Sequence, residues 1–300
     1  MVSTSHYDLK LLRIFASVAR HKGFARAQQA LNLTTSAIST YMTQLEAQVG
    51  FSLCRRGRGG FALTPKGDLL LCETLRVLGE LEGFDRYAKA LKGELGGMLK
   101  IGVIDATVTD PALPLAAAIG AFSNKYPGMH LSLMIHNLYE LQKGLLDNEL
   151  DIAVGFFPAK VNGLIYHPLY HEQQWLYCSN RHPCFSQRVV QPGYLSELNM
   201  VSRSYWPQSE LGRHGFKRSL ATVESMEAQL ILLLSGAYIG YLPEHYAQFW
   251  VNRGFLKVLL PAKFGYQTQF SLVLRRGRSR ELPLQALREL LQRGERSVRM

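Results

Sequence analysis

Six hydroxyl side chains fall within ten residues, Thr34, Thr35, Ser36, Ser39, Thr40 and Thr43, with no Lys, Arg, Asp or Glu among them. Ile38, Met42, Leu45 and Val49 recur there at intervals of four, three and four, the spacing of an apolar helix stripe. With that stripe turned inward, the hydroxyl residues share the opposite face. A solvated helix face is usually written in long charged side chains. Short hydroxyls and methyls instead let a helix lie close against a surface such as the floor of a DNA major groove, where they meet the base edges. Just upstream, Phe24, Ala27, Ala30 and Leu31 mark another short helix, and Asn32-Leu33 breaks the pattern between the two. Thr34 or Thr35 can cap the second helix by accepting a bond from an otherwise unpaired N–H. Two short helices at a sharp turn read as a helix-turn-helix, although a Ser/Thr-rich surface helix of a bundle would have the same composition.

The next stretch, CRRGRGGFALTPKG, narrows that choice. Arg55, Arg56 and Arg58 stand in a Gly-rich loop that ends in a strand-like FALT. Arginines on a hairpin beside a recognition helix act as a wing, neutralising phosphates or entering the minor groove. Arg26, on the first of the two helices, joins them as a phosphate candidate.

Catalytic signatures do not compete with this reading. The chain has no Gly-rich phosphate loop, HExxH or GxSxG, and its nine histidines are scattered without ligand spacing. The four cysteines form no CxxC and no metal spacing with His, so incidental or buried thiols are expected. No catalytic residue, metal or cofactor is therefore expected. A hydrolase or transferase with a basic appendage is the second hypothesis, and it predicts turnover of a substrate. A ligand-binding scaffold without DNA affinity is the third, and a gel shift separates both from the first. Met1–Tyr7 is polar, no run approaches the length of a membrane span, and a cytoplasmic protein without membrane contact is expected.

These residues need elements to position them, and 300 residues with 47% hydrophobic content suffice for two domains. Residues 1–92 carry 13 Lys/Arg against 7 Asp/Glu, residues 93–274 carry 13 against 13, and residues 275–300 carry 8 against 3. The net charge of +11 thus sits at the two ends, as expected of a basic nucleic-acid module attached to a neutral ligand-binding body. The arginines after residue 274 either cover a neighbouring subunit or keep the tail soluble. A first helix over Asp8–Ala19 turns Leu9, Leu12, Phe15, Ala16 and Ala19 inward. Pro65-Lys66-Gly67 starts a long helix to about Leu91, whose stripe of Leu71, Leu75, Leu78, Leu81, Phe84, Ala88 and Leu91 calls for a partner such as the same helix of a second chain.

Gly93, Gly96 and Gly97 stop that helix, and strands and helices alternate beyond them. Nearly unbroken apolar strands between amphipathic helices predict α/β architecture with a parallel sheet covered on both faces. Crossings near residues 162–166 and 265–269 would give two lobes around a cleft. Ligands of such sheets sit beyond the carboxyl ends of the strands, where helix N-termini favour anions. That rule selects Asp105, Ala106, Thr107 and Thr109, then His136 and Asn137, then Ser202, Arg203, Ser204, Thr222 and Glu224. Arg203 is the sharpest, since a lone guanidinium at a cleft edge suits a carboxylate, although a surface salt bridge is its equal alternative.

The order of residues from Tyr7 to Gly67 resembles the N-terminal winged helix-turn-helix of LysR-type transcriptional regulators. The resemblance is carried by Leu12/Phe15/Val18, Gly23-Phe24, Ala37-Ile38-Ser39, Leu45-Glu46, Gly50, Leu53–Arg55, Leu63-Thr64 and Gly67, and later by GAYIGYLP, which is similar to the family's Gly-x-x-Ile-x-x-x-Pro stretch. It implies a winged helix-turn-helix over residues 1–65 and a dimerisation linker helix over 66–92. Residues 93–300 would form a two-lobed effector domain like periplasmic binding proteins, with lobe I over about 98–163 and 268–300 and lobe II over about 164–267. The implied partners are double-stranded DNA, a small-molecule effector of anionic character, and further copies of the chain in a homodimer and a homotetramer. RNA polymerase is a candidate further partner, and the implied location is the bacterial nucleoid. Some relatives use a cysteine switch, for which Cys178 and Cys184 are the pair in reach, with Arg181 and His182 nearby. The chain departs from the family at Thr35-Ser36, where members commonly carry Gln-Pro, and at Thr40, where a longer side chain is common. Relatives that bind aromatic acids often carry Ser or Thr where Ala106 and Leu138 stand, so a different ligand is implied.

Removing Arg56 and Arg58 together should weaken binding to all DNA sequences alike. Titrating salt should show the dependence of affinity flattened by a slope of about one for each phosphate no longer neutralised.

Overall fold

The computed structural model describes residues 7–55, 60–91, 96–188, 190–206, 208–279 and 281–298, which divide into two units, Met1–Gly93 and Glu94–Met300. The first unit runs α1 (Leu9–Arg20), α2 (Phe24–Leu31), α3 (Thr35–Val49), β1 (Cys54–Arg55), β2 (Ala62–Leu63) and α4 (Pro65–Leu91). Asp8 caps α1, its carboxylate accepting the Lys10 N–H at 2.8 Å. The buried face of α1 is Leu11, Ile14, Phe15 and Val18, while Leu9 is exposed. This arc is rotated from the expected one because α2, α3 and α4 cover the helix together. From α3 come Ile38, Met42 and Leu45, all fully buried in the same core.

The hairpin of β1 and β2 pairs Cys54 with Leu63 and Arg55 with Ala62. It is pinned at both ends. Glu46 Oε1 on α3 accepts the Leu53 N–H at 2.7 Å, and Thr64 Oγ1 donates to the Ser52 carbonyl at 2.8 Å while accepting the Gly67 N–H at 2.9 Å. A Cβ on Gly67 would lie 2.1 Å from the Leu53 carbonyl oxygen, so no larger residue fits at this first turn of α4.

The second unit contains β3 (Gly97–Val103), a 3-10 turn (Thr107–Thr109), α5 (Leu115–Lys125), β4 (Met129–Ile135), α6 (Leu138–Leu146), β5 (Ile152–Phe156) and β6 (Leu164–Ser179). It continues with α7 (Pro192–Leu195), β7 (Met200–Arg203), α8 (Gln208–Arg213), β8 (Ser219–Val223), α9 (Met226–Leu234), β9 (Gly240–Pro243), α10 (Glu244–Asn252), β10 (Leu256–Val258), α11 (Pro261–Phe264), β11 (Tyr266–Arg275) and α12 (Leu282–Val298). The runs LIYHPLY and QQWLYCS fall in one 16-residue strand, β6.

The main sheet runs in the order β10-β6-β11-β5-β3-β4, with β9 also on β6. It is mixed: β4, β3 and β5 are parallel, but β11 is antiparallel to both β5 and β6. The expected all-parallel sheet is thus corrected, because two long strands turn back through both lobes. Period-2 alternation distributes their residues between two helical layers. Ile152, Val154, Leu272 and Leu274 face α5 and α12, while Ala153 and Val273 face Leu141 and Leu145 of α6. Further along β6, Leu176 and Cys178 join one core of the second lobe, and Tyr177 joins the other with α9 and α10. Leu164, Leu169 and Tyr170 pack in lobe I, so that lobe takes the first half of β6 rather than ending at residue 163.

Two of the terminal arginines are structural. Arg275 and Arg278 are buried, and Arg278 pairs with Asp151 at 2.6 Å and with Glu281 at 2.5 and 2.9 Å, tying the start of α12 to the sheet.

Replacing Gly67 with Ala should destabilise the first unit by about 1–3 kcal/mol, the usual range for overpacking a tight site. Chemical unfolding of the whole chain measures it, and an unchanged transition would mean that the hairpin shifts freely.

Candidate functional site

The turn between α2 and α3 is built by backbone demand. Asn32 adopts the left-handed conformation at φ 51° and closes α2, its N–H donating to the Gln28 carbonyl. Thr34 caps α3, its Oγ1 accepting the Ala37 N–H at 3.2 Å, so this hydroxyl is engaged with the helix. On the outward face Thr35, Ser36, Thr40 and Thr43 are exposed and Ser39 is half-buried. Together with Gln44 they line one shallow groove. Gln44 was missed from the sequence, although Ser36, Thr40 and Gln44 follow one another at intervals of four.

Thr40 Oγ1 donates to the Ser36 carbonyl at 3.1 Å and Thr43 Oγ1 donates to the Ser39 carbonyl at 3.0 Å. With their hydrogens committed to the helix, these threonines present oxygen lone pairs and methyl groups. Such a surface suits amino groups of adenine or cytosine and the thymine methyl. Arg26 and Arg55 are exposed, on α2 and at the base of the hairpin. Arg56 and Arg58 lie outside the described residues.

In the second unit a cavity of about 330 Å³ opens between the lobes. Ile104, Asp105, Asn137 and Leu138 form its lobe I wall, and Arg203, Ser204, Tyr205, Glu224 and Met226 the opposite one. Glu172, Gln174, Tyr266 and Thr268 come from the strands that cross between the lobes. Arg203 is only 4% exposed at the end of β7. Its Nη2 donates to the Tyr241 carbonyl at 3.0 Å and meets the Met226 sulfur at 2.8 Å, and it makes no ion pair among the described residues. A buried guanidinium held only by neutral acceptors keeps most of its hydrogen-bonding capacity for something else. Asp105 accepts the N–H of Met226, the first residue of α9, so a carboxylate of one lobe sits on a helix N-terminus of the other. Burial pushes the Tyr205 and Tyr266 hydroxyls above their usual range, and both remain neutral donors in the cavity wall.

Residues 9–68 match the family model of the bacterial regulatory helix-turn-helix protein, lysR family, and residues 92–296 match the LysR substrate binding domain. The chain belongs to the LysR family. It is a transcriptional regulator, with a DNA-binding unit followed by an effector-binding domain. It is 36% identical to the transcriptional activator BauR of Pseudomonas aeruginosa over 95% of this chain and 94% of that one. In fold it is similar to full-length OxyR from Pseudomonas aeruginosa, with a TM-score of 0.69 and 21% identity over 97% and 95% of the two chains. It is also similar to LysG from Corynebacterium glutamicum with bound effector Arg, with a TM-score of 0.63 and 18% identity over 97% and 99%.

Within this LysR-family effector domain, Asp105, Asn137, Arg203 and Ser204 come together around the cavity. Asn137 also caps α6 in a reciprocal box with Glu140, at 2.9 and 3.1 Å. Other residues picked from the sequence stand outside the cavity wall. Ala106 takes a left-handed turn at φ 61° and packs on the lobe II core, and Thr107 Oγ1 donates to the Ile104 carbonyl at 3.4 Å. His136 lies 3.4 Å from Glu140, Ser202 Oγ bonds Thr222 Oγ1 at 3.1 Å, and Thr222 is exposed. Glu172, Gln174 and Thr268 were missed because each looks like an ordinary strand position. The available signal was a Glu and a Gln two apart, hence on one face of a strand. Cys178 and Cys184 are fully buried free thiols, and burial pushes Cys178 up to about 12, away from the reactive thiolate a redox switch needs.

Thr40→Val keeps the methyl and removes the acceptor, so it should relax preference at one or two base pairs by about 1–3 kcal/mol each. Thr40→Ser should retain the preference at an amino-bearing base. Selection from a randomised site pool measures both, and uniform weakening by Thr40→Val would mean that α3 lies differently in the groove.

Proposed function

We propose that this LysR-family regulator reads DNA through the exposed face of α3, from Thr35 to Gln44, with Thr34 setting the helix start and Arg26, Arg55, Arg56 and Arg58 on phosphates or in the minor groove. It works in the cytoplasm as a homodimer through α4, whose Leu69, Phe84 and Tyr87 are large exposed apolar side chains, and as a homotetramer through its effector domains. The effector binds between the lobes and changes the balance between two assemblies, which requires different affinity for each.

The observation that carries the effector reading is Arg203, a buried guanidinium without a carboxylate partner among the described residues, facing a cavity that also holds Asp105, Glu172 and Glu224. A carboxylate on the ligand would satisfy Arg203 bidentately, and a cationic amino group would balance the acidic side chains. The effector is therefore a small zwitterion, an amino acid in the broad sense, and about 330 Å³ is the lower end of ligand-pocket sizes.

The test is calorimetry and thermal shift with a panel of short aliphatic compounds carrying an amine, a carboxylate or both. Compounds with both groups should bind at least about tenfold more tightly than either single-group analogue, since one charge-assisted hydrogen bond is worth that much. Arg203→Met should abolish this binding while leaving thermal stability and basal DNA affinity unchanged. A large fall in stability with ligand binding retained would make Arg203 a structural residue and overturn the assignment.

A further inference from the structure

Beside that cavity, and sharing Glu172 with its wall, three side chains from distant parts of the chain converge at the crossing strands. Asp110 follows the 3-10 turn of lobe I, Glu172 lies in β6 where it passes between the lobes, and His245 is the second residue of α10 in lobe II. His245 Nε2 is 3.1 Å from Glu172 Oε1 and 3.6 Å from Asp110 Oδ2, and these three atoms all lie within 4.8 Å of one another. Both acids are only 7% exposed. No Lys or Arg pairs with either among the described residues. Two buried carboxylates this close, with no fixed cation between them, leave a charge deficit that an imidazole alone does not cancel.

We propose that Asp110, Glu172 and His245 bind a divalent first-row transition metal that clasps the two lobes. Around a tetrahedral ion with bonds of about 2.0–2.2 Å, neighbouring ligand atoms stand about 3.3–3.6 Å apart. The two separations at His245, 3.1 and 3.6 Å, lie on either side of the middle of that spacing and are within about 0.2 Å of it. The outer hydrogen bonds fit the same assignment. Gln174 Nε2 and Thr268 Oγ1 both donate to Glu172 Oε2, at 2.5 and 3.3 Å, and leave Oε1 turned towards His245. Thr109 Oγ1 holds the other ring nitrogen, Nδ1, at 2.8 Å, which orients Nε2 at the carboxylates as outer partners of ligand histidines do. Asp110 is held by the Tyr170 hydroxyl, donating to Oδ2 at 2.5 Å, and by the Ala112 N–H, donating to Oδ1 at 2.9 Å. A second cavity of about 500 Å³ opens directly onto the three ligands, giving an access route and room for water in the fourth position. One imidazole with two carboxylates suits Zn²⁺, Co²⁺ or Mn²⁺ better than the oxygen-only preference of Ca²⁺. Because the ligands come from both lobes, the metal would resist their separation and thereby act on the same movement as the effector.

The full-length chain, stripped with a chelator, is titrated with Co²⁺ by visible absorption and with Zn²⁺ by calorimetry. One ion per chain is expected, with affinity at least about tenfold weaker in His245→Asn and in Glu172→Gln. Cobalt-edge X-ray absorption on the unaltered chain should show one imidazole among oxygen ligands, which tests the site even where a variant folds poorly. Three results would each overturn the proposal. They are uptake that does not saturate up to millimolar metal, uptake unchanged in both variants, and sulfur in the metal shell. Retained uptake in Arg203→Met would separate this site from the effector reading, which stands or falls on its own measurements.

Discussion

The hydrogen-bonded ladder between β6 and β11 is the constraint from which the second unit is built. It runs from Leu164 opposite Arg275 to Gln174 opposite Tyr266, with one irregularity between Gln269 and Ser271. A two-stranded ladder resists sliding, because a shift of one residue would move every side chain to the other face. Both lobes are assembled on it, and both depend on its register. Where it passes between them, Glu172, Gln174 and Thr268 stand on one face, with Glu172 directly opposite Thr268. Buried polar groups there pair with one another: Gln174 Nε2 and Thr268 Oγ1 both donate to Glu172 Oε2. The cleft is thus polar where these strands cross it.

Lobe-to-lobe bonds supplement that ladder. Asp105 reaches the first turn of α9, and Thr109 and Glu172 hold His245 on α10. Each is a polar contact, in contrast to the apolar cores of the separate lobes. A regulator needs such an element, since packed cores deform little whereas a hinge with polar clasps has two arrangements to choose between. A ligand anion placed on Arg203 enters the neighbourhood of Asp105 and Glu172, so its charge bears on the same clasps that hold the lobes.

The first unit shows the same division of labour on a smaller scale. Ile38, Met42 and Leu45 leave no room for solvent on one side of α3, and the hydroxyl side is consequently free for recognition. The self-bonded threonines narrow what that side can offer to acceptors and methyls. Asn32 in its left-handed conformation and Gly67 against the Leu53 carbonyl fix the angles at which α2, α3 and the hairpin meet. Together they set the direction in which the hydroxyl face of α3 points.

Much of this was legible in the chain alone, for a physical reason. The helix over Leu138–Leu146, the strand ends around Asp105 and Arg203, and the two faces of α3 follow from local periodicity, capping and charge, which neighbours along the chain impose on one another. The inward arc of α1 did not follow, since three helices cover it at once, and neither did the mixed sense of the sheet. Cleft residues of the crossing strands were hidden for the same reason: alternation says that Glu172 and Gln174 share a face but not what that face meets. By itself the sequence determined the elements, the basic reading module and its resemblance to LysR regulators. Only the tertiary structure decided that Asp110, Glu172 and His245, separated by 62 and 73 positions, bring ligand atoms within 4.8 Å of one another, because long-range strand pairing and the docking of two lobes leave no periodic trace in the order of residues.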